Sequence, residues 1–276
     1  MEYGNAAWGL RELPLEEQLK LTQAMGLHLL ELSIANYHRD ALLPDASAEQ
    51  IRQVKALFAQ YDVRPDCGAT GNDFTAGSAA DVRESLDRVK RAADIAAALG
   101  VKVLRIFAGF TSDSLVYGER FDRALEALQL AAEHVRGTGV RLAIETHGGV
   151  AATGDVLHHS ATVTTRIDTM RKLLESLPAA EIGMNYDPAN LAAVGDAAPE
   201  RWFGLFRDRI VLVHLKDFRD VPGGIVPAGC GEGRLDWKAL PAVLKEYDGP
   251  ALIEYELPAD VEDGLRRSLR FLKQNQ

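Results

Sequence analysis

Short apolar runs alternate with longer amphipathic stretches along the whole chain. Val101–Phe107, Val140–Glu145 and Arg209–Leu215 are too short for helices and rich in Val, Ile, Leu and Phe. Near-continuous apolar character of this kind marks strands covered on both faces, as in a parallel sheet. Between the runs the apolar spacing lengthens to the helical period. From Asp81 to Leu99 it places Val82, Leu86, Val89, Ala93 and Ala96 on one face, and Gly100 follows as a helix-ending residue.

This pattern predicts strands near 4–9, 27–34, 61–69, 101–108, 139–147, 181–187, 209–217 and 250–256. It predicts helices near 14–25, 47–60, 80–99, 119–136, 163–176, 199–207, 236–246 and 260–273. The first strand has poor β propensity, because it contains Gly4-Asn5-Ala6-Ala7. Eight strand–helix units without a linker point to an α/β fold, a single (β/α)8 TIM barrel spanning residues 1–276. An open doubly wound sheet is the competing architecture.

Composition narrows the function classes. The 276 residues carry 31 basic and 40 acidic side chains, a balance of −9 that opposes binding to nucleic acid or an anionic membrane. No apolar run approaches the ~20 residues that span a bilayer. The N-terminus lacks the basic and apolar regions of a secretory signal. Cys67 and Cys230, with no CxxC spacing, read as reduced thiols of a cytoplasmic protein. Gly229-Cys230-Gly231-Glu232-Gly233 is not a dinucleotide-binding fingerprint, and it is expected to follow a loop rather than a strand. Association into a homodimer through the outer helices is expected.

The polar residues that carry chemistry fall at the C-terminal ends of the later strands. These ends read Glu145-Thr146-His147, Asn185-Tyr186-Asp187, His214-Leu215-Lys216-Asp217 and Glu254-Tyr255-Glu256. In a barrel those ends form the catalytic mouth. Side-chain alternation allows Glu145, Asp187, His214 and Glu254 to point inward together. Three carboxylates and an imidazole so crowded repel one another unless a cation sits among them. Such an oxygen-rich set suits one divalent ion, Mn²⁺, Mg²⁺ or Co²⁺, with Zn²⁺ as a further option.

The segments Ala143–Gly149, Tyr186–Leu191, Val213–Asp217, Gly229–Trp237 and Leu252–Glu254 occur in that order. Together they resemble the xylose-isomerase-like TIM barrels, which include sugar and sugar phosphate isomerases and epimerases. The resemblance covers essentially the whole chain and is strongest from Val101 onward. It implies that Glu145, Asp187, His214 and Glu254 bind one divalent metal and that Glu145 and Glu254 also move protons. It departs from the ketose 3-epimerases at three positions. Their substrate-binding histidine is Asn190 here, their arginine is Asp220 with Arg219 one residue short, and a substrate-contacting glutamate is Ala151.

Proton transfer beside a carbonyl is the chemistry that needs this layout. The leading expectation is a metal-dependent isomerase or epimerase of a small keto-sugar or related polyol, working through an enediolate. The alternative is a dehydratase or lyase of a keto-cyclitol or keto-sugar, with inosose dehydratases as the family precedent. A non-catalytic sugar-binding barrel and an endonuclease IV-like phosphodiesterase rank lower. His147, Lys216, Arg105 and Asn190 are the expected substrate-binding residues. Arg105, charged within an apolar strand, is also expected to form an internal ion pair. Glu31 reads as part of an ion pair at the barrel mouth, and Asp217 as a structural cap. Trp8, Phe74 and Phe107 are expected to form an apolar wall, and His158-His159 to sit in a polar loop, solvated or lid-forming.

Overall fold

A computed structural model describes residues 1–36 and 42–275. The elements run β1 (Glu2–Asn5), α1 (Leu15–Ala24), β2 (Leu32–Ser33), α2 (Ala48–Gln60), β3 (Cys67–Ala69), α3 (Ala79–Leu99), β4 (Val103–Ile106), α4 (Glu119–Val135) and β5 (Arg141–Glu145). A hairpin follows, β6 (Gly149–Thr153) and β7 (Val156–Ser160), then α5 (Ile167–Glu175), β8 (Ile182–Tyr186), α6 (Pro188–Ala193), α7 (Arg201–Phe206) and β9 (Ile210–Leu215). A second hairpin, β10 (Asp217–Val221) and β11 (Gly224–Ala228), precedes α8 (Ala239–Leu244), β12 (Pro250–Ile253) and α9 (Val261–Gln274).

Eight parallel strands lie in the order β1-β12-β9-β8-β5-β4-β3-β2. The ring closes where Asn5 bridges Leu30: Asn5 N donates to Leu29 O at 3.0 Å and Glu31 N to Asn5 O at 2.9 Å. The barrel read from the apolar pattern is therefore the fold, and the open sheet is excluded.

Local chemistry fixes the helix ends. Ser78 accepts from Asp81 N to start α3, and Gly100 ends it at φ 84°, a left-handed conformation that costs glycine nothing. Ser47 and Gln50 form a reciprocal capping box at the start of α2.

Most of the core lies between strands and helices. A smaller group, Ala6, Leu29, Cys67, Ala143, Leu212 and Leu252, forms a separate buried cluster. Strand side chains repeat every two residues, so the next inward positions after Leu29, Ala143, Leu212 and Leu252 are Glu31, Glu145, His214 and Glu254. The apolar layer thus becomes a buried polar layer in one step along each strand.

The two hairpins were not anticipated. They pair through Ile225 and Leu157 into a four-stranded antiparallel sheet of order β10-β11-β7-β6. His158 and His159 accordingly belong to strand β7 rather than to a polar loop, and the Gly229–Gly233 segment follows strand β11 rather than a loop. The nucleotide reading stays excluded, since β11 is a hairpin strand that leads into turns. The turns carried the signal. Gly154-Asp155 (φ 62° at Gly154) and Pro222-Gly223 (φ 88° at Gly223) are two-residue connections, each with a glycine at positive φ.

Candidate active site

Glu145 ends β5, and His214 lies one residue before the end of β9. Glu254 directly follows β12, and Asp187 follows β8. Asp187 also caps α6, its Oδ1 accepting Asn190 N at 2.9 Å, with Pro188 opening that helix. One donor atom from each of Glu145, Asp187, His214 and Glu254 lies within 4.8 Å of the others, and all four residues are buried. The structure therefore brings together the set expected from the strand ends.

His214 stands between carboxylates on both sides. Its Nδ1 is 3.9 Å from Glu145 Oε1 and 3.7 Å from Glu254 Oε2, while Nε2 is 3.4 Å from Glu31 Oε1. Neither ring nitrogen makes a hydrogen bond among the described residues. Burial alone would lower its pKa, but Glu31 and Glu254 hold it well above the ordinary histidine range.

Two permanent cations enter the cluster. Arg105 Nε lies 3.2 Å from Glu145 Oε2, Nη1 donates to Thr70 O at 3.1 Å, and the guanidinium covers the Phe107 ring. Lys216 Nζ contacts Glu254 Oε2 at 2.5 Å, Glu256 Oε1 at 2.7 Å and Asp187 Oδ2 at 3.1 Å. Asn190 Nδ2 donates to Glu145 Oε1 at 3.1 Å and to Asp187 Oδ2 at 3.0 Å. Both Arg105 and Asn190 therefore brace the carboxylates, although each also lines the cavity above them.

The two glutamates differ. Burial pushes the Glu145 carboxyl up to about 7, against the opposing pull of Arg105 and His214. Burial also raises Asp187. For Glu254 the same desolvation is outweighed by Lys216 and His214, which hold it well below the usual carboxylate range.

The residues fit a divalent cation. Glu31, Glu145, Asp187, Glu254 and Glu256 place five carboxylates against the two fixed charges of Arg105 and Lys216, almost wholly out of water. Such an excess of buried negative charge is relieved by protons or by a metal. The unpaired His214 Nδ1 faces into this group, and three carboxylates plus one imidazole is a donor set that Mn²⁺, Mg²⁺, Co²⁺ or Zn²⁺ accepts.

Above the cluster opens a cavity of about 490 Å³. Phe107, Phe110 and Trp8 supply apolar surface, and Val150, Leu157 and Pro227 come from the hairpin sheet. Phe74 does not join this wall; it is fully buried in the main hydrophobic core. His147 lines the cavity with its ring edge-on to Phe107 and Phe110 at 5.1 and 5.4 Å, and Nδ1 donates to Gly148 O at 2.5 Å. Burial lowers its pKa to about 3, so the ring is neutral. His159 also faces the cavity, packed against Phe218.

Glu256 lacked an assigned role in the sequence, though it shares the strand face of Glu254. Asp217 is a loop anchor: its carboxylate accepts from the amides of Phe218, Gly233, Arg234 and Leu235 and from Trp237 Nε1. A Cβ at Gly233 would lie 2.3 Å from Asp217 Oδ1, so this loop closes only over glycine.

The chain matches the xylose isomerase-like TIM barrel family model over residues 19–275, and it belongs to that family. No curated protein sequence matches significantly. Among solved structures it is similar to the probable 3-DHS dehydratase AsbF from Bacillus anthracis, with TM-score 0.78, 15% identity and 99% of each chain covered. It is similar to D-allulose 3-epimerase from Methylomonas sp., with TM-score 0.77, 16% identity, and 100% of this chain and 98% of the other covered. It is also similar to the IOLI protein with a bound zinc atom, with TM-score 0.73, 17% identity, and 100% of this chain and 96% of the other covered.

Proposed function

We propose that this protein is a divalent-metal-dependent isomerase or epimerase of a small keto-sugar or sugar phosphate, acting through an enediolate by glutamate proton transfer. The observation that carries the reading is the convergence of Glu145, Asp187, His214 and Glu254 beneath a cavity of about 490 Å³. That size lies within the range of small-molecule sites. Family membership supports the reading.

A divalent ion held by these four residues supplies Lewis acidity, polarising a carbonyl and acidifying the neighbouring C–H. The chain's own residues do the rest. Glu145 and Glu254 stand three places apart around the ring, so their carboxylates approach a bound substrate from different strands. One takes the proton and the same or the other returns it. Lys216 and His147 line the cavity and can hold hydroxyl groups, while Phe107 and Phe110 exclude water from one side.

One observation favours a dehydratase as the second reading. Asn190, where ketose 3-epimerases carry a substrate-binding histidine, is fully buried and spends its amide hydrogens on Glu145 and Asp187. The Lys216 ammonium also stands where it can protonate a departing hydroxide. One neighbour is a probable dehydratase and another an epimerase, so both chemistries occur on this fold.

The test is reaction of the metal-reconstituted protein with keto-sugars and keto-cyclitols in deuterated water. Deuterium uptake with retained composition is the expected result. Loss of water from the product selects the dehydratase, and no exchange with any keto-polyol overturns both.

A further inference from the structure

We propose that Glu31 is the positioning residue of the metal site, holding His214 so that Nδ1 rather than Nε2 is presented to the cation. The inference rests on the metal-dependent reading above.

Glu31 follows the barrel-closing bridge, and its own amide is committed to Asn5 O. Its side chain is wholly buried. One carboxylate oxygen, Oε2, accepts Ala7 N at 3.0 Å, which ties it to the segment after β1. The other, Oε1, has no hydrogen bond among the described residues and lies 3.4 Å from His214 Nε2. Glu31 is outside the group of four whose donor atoms converge. It therefore faces the back of the imidazole, while Nδ1 on the opposite edge faces Glu145 and Glu254.

Burying a carboxylate with only one amide donor is costly unless a further partner repays it. A carboxylate oxygen placed against Nε2 accepts from it, so the proton is held on that edge and Nδ1, on the opposite edge, is the nitrogen that gives up its proton when a metal binds. A carboxylate behind a metal-binding histidine also raises the basicity of the ligand nitrogen. A glutamine would fill the same space, but its amide can donate as well as accept. It would no longer dictate which nitrogen carries the proton.

The experiment uses the full chain, wild type and Glu31→Gln, with Zn²⁺ and Mn²⁺ salts as probes. Calorimetric titration gives metal affinity, urea unfolding of the metal-free proteins gives stability, and histidine ¹⁵N spectra of the zinc-loaded proteins give the protonated nitrogen. The expected result is a loss of about 10–100-fold in metal affinity for Glu31→Gln, the usual scale for such outer partners. In the wild type Nε2 should carry the proton and Nδ1 the zinc. Wild-type affinity in Glu31→Gln, or zinc on Nε2 in the wild type, overturns the assignment; the second readout needs no variant. A wild type that binds neither metal overturns the functional reading as well, whereas metal binding insensitive to Glu31 overturns this inference alone.

Discussion

Lys216 Nζ lies 2.5 Å from Glu254 Oε2, and this ammonium also contacts Glu256 and Asp187. All of these groups are at or near full burial. Burial by itself would discharge the lysine, but Asp187, Glu254 and Glu256 hold its pKa well above the ordinary value. Removing one partner of a buried ion pair leaves uncompensated charge and costs about 3–5 kcal/mol. Lys216→Met should therefore lower the unfolding free energy of the metal-free protein by about that amount in urea titrations. Adding Glu256→Gln should restore part of the loss. A change under about 1 kcal/mol would mean that the carboxylates are neutral without the lysine.

The proposed chemistry separates anchoring from proton transfer. Glu145→Gln and Glu254→Gln keep an oxygen donor but lose the base. Each should reduce turnover by about 10²–10⁴ at saturating metal, the scale of general acid–base catalysis. His214→Asn should instead lose activity through metal affinity, and excess metal should recover part of it. Steady-state kinetics across a metal titration distinguishes the two patterns. Near-wild-type turnover in both glutamine variants, with His147→Ala or Lys216→Ala inactive, would contradict proton transfer by the glutamates.

His159, on the wall of the same cavity but outside the four converging residues, gives a separate pH dependence. Burial first, then the charges of Lys216 and Arg234, lowers its pKa from 6.5 to about 4. Neither ring nitrogen has a hydrogen-bond partner among the described residues. Between those two values the unfolded chain binds a proton that the folded chain refuses, so stability falls as pH drops from 6.5 towards 4. His159→Phe removes that linkage. Between pH 7.5 and 5.5 the wild type should lose about 1 kcal/mol more than the variant in urea unfolding, the ring's partial exposure limiting the effect. Equal losses would show that this imidazole protonates freely in the folded protein.

The barrel and the converging four residues were legible in the sequence for one physical reason. Parallel strands buried on both faces must be nearly apolar, so the glutamates, aspartate and histidine closing β5, β8, β9 and β12 stand out. Strand alternation then says that they face the same way. The hairpins at 149–160 and 217–228 were not read from the sequence: their strands are five residues long, and those of one hairpin, β6 and β7, are mostly solvent-facing, so they lack the long apolar run of a strand buried on both faces. Only the tertiary structure decided the partners. That Lys216 meets Glu256, that Asn190 braces Glu145, and that Glu31 backs His214 depends on how far the ring's strands are staggered and which side chains cross its interior. The residues of each pair are distant in sequence, and local pattern does not say how neighbouring strands are registered or which side chains meet inside a closed barrel. The same holds for Phe74, whose aromatic ring suits core and cavity wall equally. Its place in the core was set by tertiary packing rather than by any periodicity.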